Sequence, residues 1–338
     1  MRVLLTGASG SVGYETLKQL TEKENIDVIA LDLETKKSKK RLLPYENAQK
    51  AKVIFGSIND EKLMEDIIKD VDVVIHLAAI IPPLADKQPE LTRKVNYFGT
   101  RTIIEAIQKE NPSCFLLYSS SVSVYGDRIE NPWIKVTDPL CPSEGDYYAY
   151  TKIETEKLIR ESKIHYSIFR LTGIMGRPDI DPLMFHMPLD TKLEIATTID
   201  TATAFVNATE KLKQLDGHTY NLGGGEACRT TYRDFLYHMF KIYGLKFSYL
   251  KEFSFAEKNF HCGYYVDGDD LEKILHFRYD TLESYYKRVN AETKKITRFF
   301  SRLLSQPILF FLSRKSEPLQ ARKKENKFLT NRFFKKKQ

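Results

Sequence analysis

The sequence predicts an α/β protein built on a doubly wound parallel sheet, and three observations carry that expectation. The chain opens MRVLLTGASGSVG: residues 2–5 form a short apolar strand, and Gly7, Gly10 and Gly13 follow at the spacing of a tight turn running into a helix. Apolar runs at 27–31, 52–55, 72–77 and 114–118 have the unbroken character of parallel strands covered on both faces. Between them, residues 14–21, 60–69 and 91–109 carry helical spacing, the last with Ile103, Ile104 and Ile107 on one face. Strands alternating with helices at this interval build a parallel sheet with helices on both sides.

The glycines have separate duties. Without a Cβ, Gly7 can take the sharp turn, Gly10 lets the backbone approach a pyrophosphate, and Gly13 lets the new helix pack close to the sheet. The free N–H groups and positive dipole end of that helix face the anion, and Ser9, Ser11 and Val12 complete the loop. Asp32 ends the second strand about 20 residues on, where a ribose hydroxyl is read. An ordinary βα turn is the competing reading, and the strand, helix and acidic residue in the right places weigh against it. Six basic residues follow, Lys36, Lys37, Lys39, Lys40, Arg41 and Lys50, with no apolar period, so residues 34–50 read as a solvated loop rather than a phosphate site. A carboxylate at Asp32 repels a 2′-phosphate, which favours NAD over NADP.

Length and composition suit a soluble protein with a large core: 338 residues at 42% hydrophobic and 29% charged exclude a disordered chain or a polytopic membrane protein. The net charge of +7 is not evenly spread. Residues 291–338 hold 14 Lys/Arg against 3 Asp/Glu, which leaves 38 against 42 for residues 1–290. The basicity therefore belongs to the tail. Cys114, Cys141, Cys228 and Cys262 are far apart and form no C-x-x-C pair, which points to a reducing compartment and no metal site. The first strand starts at residue 2 with no charged stretch followed by an apolar one, so no secretory signal is expected.

Further along, 165–171 reads as a strand broken by TGIMGRP (172–178), 200–213 as a helix, 219–222 as a strand entering Gly223, Gly224 and Gly225, and 231–243 as a helix. No internal repeat is present.

The strongest catalytic signal is YYAYTK (147–152), at the start of a helix running to about residue 162. Tyr148 and Lys152, four apart, share one helix face, whereas Tyr147 and Tyr150 point elsewhere. An ammonium beside the phenol lowers its pKa, and such a phenol exchanges a proton with a substrate hydroxyl or carbonyl while Lys152 also reaches a cofactor ribose. Upstream, SSSVSVYG (119–126) lies at a strand end, where ligands bind in a doubly wound sheet, and Ser121 there is placed to bond the reacting oxygen. Taken singly, the tyrosine and lysine read as a surface helix face and the serine as a turn former. Together they read as a site.

TGASGSVG (6–13), HLAA (76–79), VNYFGT (95–100), SSSVSVYG, YYAYTK and YNLGGGE (220–226) occur in the order seen in the extended short-chain dehydrogenase/reductase family, the NAD-dependent epimerase/dehydratase group, which the chain resembles over residues 1–290. The resemblance implies a Rossmann domain holding NAD, with Ser121, Tyr148 and Lys152 matching the catalytic triad. It adds Leu77, Ala78, Ala79 and Asn96 to the candidate cofactor contacts, and gives Asp200, in IDTATAF, a structural place. Three departures stand out. Where many relatives carry Gly-Asp-hydrophobic after the third strand, this chain has Gly56-Ser57-Ile58, leaving Ser57 and Ile58 as weaker adenine contacts. Gly173 stands where the family's R-x-x-N-V-Y-G-P has Asn, and the stretch 178–198 is several tens of residues shorter than in sugar-nucleotide epimerases. That stretch is mostly apolar, with Leu183, Met184, Phe185, Met187 and Leu189 around His186; packing in the core is the bland reading of all six.

The expected organisation is a Rossmann core at 1–178 rejoined by 198–225, a small shortened substrate lobe from 179–197 and 226–290, and a basic tail at 291–338. The expected activity is NAD-dependent hydride transfer at a secondary alcohol or ketone carbon, with Tyr148 moving the proton. A nucleotide-sugar 4-epimerase or dehydratase is the alternative, and a non-catalytic NAD-binding scaffold or sensor is the alternative of another class. The short apolar lobe favours a small or lipophilic alcohol as substrate, and the family a nucleotide sugar. In the tail, ITRFFSRLLSQPILFFL (296–312) is too short and too charged to span a bilayer, but beside RFFKKK (332–337) it suits an anionic membrane surface. Packing on the core, a homodimer contact and nucleic-acid attraction compete with that reading, and no specific nucleic-acid motif supports the last. A cytoplasmic protein, peripheral at the inner face of a membrane, is the resulting expectation.

Overall fold

The computed structural model describes residues 1–176 and 182–335. Arg177 and Pro178 at the end of the TGIMGRP turn, the first lobe residues 179–181 and the last three residues, 336–338, lie outside the described residues. The strands in chain order are β1 (Arg2–Thr6), β2 (Asp27–Asp32), β3 (Lys52–Phe55), β4 (Val73–His76), β5 (Phe115–Ser121), β6 (Trp133–Ile134), β7 (His165–Leu171), β8 (Gly173–Met175), β9 (Lys192–Thr197), β10 (His218–Leu222), β11 (Arg229–Thr231) and β12 (Tyr264–Tyr265). Seven of them form one sheet in the order β10-β7-β5-β4-β1-β2-β3, every pair parallel. The chain winds outward one way from β1 and the other way from β4. A cleft is expected beyond the carboxyl ends of these two strands.

Alternation along each strand builds the two faces of the core. Val3 and Leu5 pack with Leu17, Phe169 and Phe205 on one side of the sheet, while Leu4 packs with Ile103, Ile107 and Ile168 on the other. The small lobe is built from a three-stranded sheet, β11-β9-β8, and a parallel pair, β12-β6. Its core gathers Phe185, Phe235, Phe240, Tyr285 and Leu309.

Three elements differ from the sequence-based expectation. Residues 34–50 are not a loop: Lys36–Asn47 is a helix. A reciprocal cap starts it, with Ser38 N–H donating to Thr35 Oγ1 at 3.0 Å and Thr35 N–H to Ser38 Oγ at 2.9 Å, while Ser38 and Leu42 turn inward. The helix expected at 200–213 is two pieces, Thr198–Ala208 and Leu212–Leu215. The one expected at 91–109 begins at Pro89 and passes through a π turn, Lys94–Phe98, before continuing as Gly99–Glu110.

The tail folds into four helices, Lys295–Leu303, Ser305–Ser313, Glu317–Lys323 and Lys327–Phe333. Pro307 stands in the first turn of the second, where its missing N–H has no partner to lose. Leu309 and Leu312 are buried in the lobe core, so part of the tail is packing.

Candidate active site

The turn after β1 is a cradle that tolerates no side chain at two points. Gly7 has φ +68°, and a Cβ on it would stand 2.8 Å from the Ala78 nitrogen. One on Gly13 would stand 2.1 Å from the Gly7 carbonyl oxygen. Gly10 N–H closes the turn on Gly7 O at 2.9 Å, and the helix Ser11–Leu20 then starts with no side chain capping it. Its first N–H groups are left for an anion. Ser9 N–H donates to Asp32 Oδ2 and Leu33 N–H to Asp32 Oδ1, each at 2.7 Å, so Asp32 braces the loop it faces. Arg41, from the unexpected helix, donates to Ser9 O at 2.8 Å and lies over the Tyr14 ring at 5.1 Å. Nothing in its basic run singled it out.

The other candidate cofactor residues fall into two groups. Leu77, Ala78 and Ala79 follow β4 beside the glycine turn, with Ala78 N–H donating to Thr6 Oγ1 at 3.3 Å. Ser57 is half-buried and accepts from Asn59 N–H at 3.1 Å, whereas Ile58 is buried in the core beneath Gly99. Asn96 acts as a brace between two segments. It is 1% exposed, and its amide is used up by Ile80 N–H (2.8 Å), Ile80 O (3.0 Å) and Thr151 Oγ1 (3.1 Å). It thereby ties the loop after β4 to the catalytic helix. His76 is held between the Thr6 and Thr100 hydroxyls at 2.7 and 2.9 Å; burial, aided by the nearby Lys152, takes its pKa down to about 3 and keeps it neutral.

The three serines ending β5 take three roles. Ser119 Oγ donates to His76 O at 3.0 Å and Ser120 Oγ to Glu156 Oε1 at 2.6 Å. Ser121 alone stays half-buried, its Oγ accepting from Ser123 N–H at 3.2 Å and near enough to the Tyr148 phenol to act on its pKa. Tyr148 opens the helix Tyr147–Glu161, capped by Asp146, which accepts from Ala149 N–H at 2.9 Å. One turn on, buried Lys152 donates to Ser119 O at 2.6 Å, with its nitrogen 5.6 Å from the centre of the Tyr148 ring. The expected triad therefore converges.

Its electrostatics differ from expectation. Burial pushes the Tyr148 phenol above its ordinary value against the opposing effect of Ser121, and it lowers the Lys152 ammonium to about 7 against the pull of Glu156. Desolvation is the largest cause of both shifts. At neutral pH Tyr148 keeps its proton and is set to donate it.

Behind the triad lies a buried polar network. Arg170 on β7 grips Glu156 with two bonds of 2.9 and 2.7 Å and donates to Tyr125 OH at 2.7 Å; Tyr125 donates in turn to Asn221 Oδ1 at 2.7 Å. Burial alone would raise the Glu156 carboxyl, and Arg170 and Ser120 hold it below its ordinary value. Asp200 is buried and accepts from Asp280 N–H at 3.0 Å, a structural place as expected.

A parallel sheet with an open glycine turn at its switch point, and a serine, tyrosine and lysine gathered beyond the adjoining strand, defines an α/β protein of the Rossmann type. A model of the NAD dependent epimerase/dehydratase family matches residues 3–187, more than half of the sequence, and the chain belongs to that family. It is 27% identical over 185 residues to a D-erythronate dehydrogenase of Haemophilus influenzae (53% of this chain, 56% of that protein). It is 34% identical over 167 residues to a dTDP-glucose 4,6-dehydratase of Mycolicibacterium smegmatis (47% and 48%). The chain thus spans about half the length of the curated relatives it matches. A solved dTDP-glucose 4,6-dehydratase of Streptomyces venezuelae, with NAD and TYD bound, superposes with a TM-score of 0.73 at 20% identity, covering 91% of this chain and 99% of that one. That likeness is one of fold.

Proposed function

We propose that the protein binds NAD and catalyses redox chemistry at a secondary alcohol or matching ketone carbon. The observation that carries this is the meeting of Ser121, Tyr148 and Lys152 beside the glycine cradle. The cradle fits the cofactor: its two close approaches exclude any side chain, and its helix end is uncapped. Gly7, Gly10, Ser11, Val12 and Gly13 would hold the pyrophosphate and Asp32 a ribose, and bound NAD supplies hydride exchange. Ser121 orients the substrate oxygen, Tyr148 gives or takes its proton, and Lys152 steadies the site from Ser119 O. A cavity of about 550 Å³ in the lobe, lined by Ile174, Met184, Met239, Phe240, Phe260 and Tyr285, takes an apolar part of the substrate and favours a dehydrogenase or reductase of a lipophilic alcohol. A nucleotide-sugar epimerase or dehydratase is the second reading, favoured by the family. Titrating NAD and NADP, then screening hydrophobic alcohols and UDP-sugars with product analysis, separates the two. Tyr148→Phe should lower turnover at least about a hundredfold with NADH binding kept; unchanged turnover ends the proposed role.

We further propose peripheral association with an anionic membrane. Among the described residues no helix is long and apolar enough to cross one. The helix Lys295–Leu303 holds Ile296, Phe299, Phe300 and Leu303 at 63, 65, 52 and 70% exposure. Beside it runs a groove of about 800 Å³ whose lining includes Lys241, Lys246, Lys295, Arg298 and Arg302 and no carboxylate. Apolar insertion flanked by cations suits acidic headgroups. Vesicles of phosphatidylcholine with phosphatidylserine should float the protein, and Phe299→Ser with Leu303→Ser should leave it at the bottom. Equal flotation of both, or loss of the wild-type ridge in a dimer seen by sedimentation, refutes it.

A further inference from the structure

The apolar cavity of the lobe has a wall suited to one kind of guest. Met175, Met184, Met187 and Met239 all line it, four of the six methionines in the chain. Methionine is unbranched and adaptable, so a wall built of it follows a flexible apolar shape. None of the described lining residues is charged. The hydroxyls of its two buried tyrosines are spent on the wall itself, Tyr232 donating to Met184 O at 2.9 Å and Tyr285 to Gly176 O at 3.3 Å. A hydroxylated guest would give up its bonds to water and find few in return, whereas an aliphatic one has none to give up. Met175, Met184, Met187 and Phe260 are half-buried, so the wall is reachable as well as apolar.

The cavity also adjoins the basic face of the molecule. One helix, Tyr232–Tyr243, serves both: Phe235, Leu236, Met239 and Phe240 line the cavity, while Tyr237, 56% exposed, and Lys241 line the groove together with Lys246, Lys295 and Arg302. Leu245, just past the left-handed Gly244 that ends this helix, lines both. Room for an apolar guest therefore lies one helix behind a row of cations and the exposed ridge of Phe299 and Leu303. An anionic lipid has the complementary order, with charge at the surface and chain beneath it.

We propose that the lobe cavity is a lipid-chain site, which takes one aliphatic chain of an anionic lipid from the membrane on which the ridge docks. The loading route rests on the membrane reading given above, and the chain site itself does not. None of Ser121, Tyr148 and Lys152 lines the cavity, so chain binding is measured without turnover.

The fluorescent fatty acid cis-parinaric acid, below its micelle concentration and without vesicles, should bind the full chain saturably, one per protein, and be displaced by dodecanoic acid. Met187→Trp and Met239→Trp fill the cavity and should each weaken it at least about tenfold. Both variants should float with phosphatidylserine vesicles as the wild type does, which separates a filled cavity from a lost fold. Phe299→Ser with Leu303→Ser should lose flotation and keep the parinarate affinity. After incubation with the same vesicles, native mass spectrometry should find one phospholipid on the wild type and none on either tryptophan variant. Binding that does not saturate, an affinity unchanged in both tryptophan variants, or one that falls with the ridge would put the chain on the surface and overturn the proposal. Saturable, cavity-dependent binding by a wild type that does not float would overturn the membrane reading and the loading route with it, and leave the chain site standing.

Discussion

Lys152 shows how one side chain can serve chemistry at a cost to folding. Its ammonium ordinarily titrates near 10.5, and burial lowers it to about 7. The unfolded chain therefore holds that proton more tightly than the folded one between these values, and stability of the unliganded protein should rise as pH climbs from about 7 toward 10. Below pH 7 the full penalty of a buried charge is present. Lys152→Met removes the penalty, so the variant should exceed the wild type in stability by most at pH 6 and by progressively less at pH 7.5 and 9. Urea unfolding at the three values measures the difference, and a gap that does not change with pH would show that Lys152 stays charged throughout.

At the level of elements, the helix Tyr147–Glu161 holds the site because its inner face is tied twice. Asn96 grips Thr151 in its first turns, and Arg170 grips Glu156 one turn beyond Lys152. Glu156→Gln leaves Arg170 buried with a diminished partner and should cost about 3 kcal/mol or more, read from urea melts. A loss under about 1 kcal/mol would mean that Tyr125 and Val136, its other partners, suffice. The parallel strands and the catalytic helix were legible because apolar runs and the four-residue spacing of Tyr148 and Lys152 are local patterns. The helix Lys36–Asn47 was not. Its fully buried residues, Ser38 and Leu42, are too few to make a period, and its start depends on a Thr35–Ser38 cap that resembles any polar loop. The same locality explains why the bracing role of Asn96 was not legible: its partners Ile80 and Thr151 are 16 and 55 residues away.

Across the whole molecule, the tail has two ends of different character, one forming the exposed ridge and the other packing its last helix against Ala256 and Ala321. Between them it is structural. Leu309 is 0% exposed and Leu312 7%, both within the lobe core, and burial of each contributes about 1.5–3 kcal/mol. Phe333 and Phe334 cover Ala256 and Ala321 in a separate small cluster. Ending the chain after Asn290 should therefore lower stability by about 3 kcal/mol or more, uncovering Phe240 and Phe247 as well as removing the ridge. Phe299→Ser with Leu303→Ser, by contrast, changes side chains that already face solvent and should leave stability within about 0.5 kcal/mol. Urea melts of the three proteins distinguish a tail that is an appendage from one that completes the lobe. Equal stability of the shortened and full-length chains would make it an appendage.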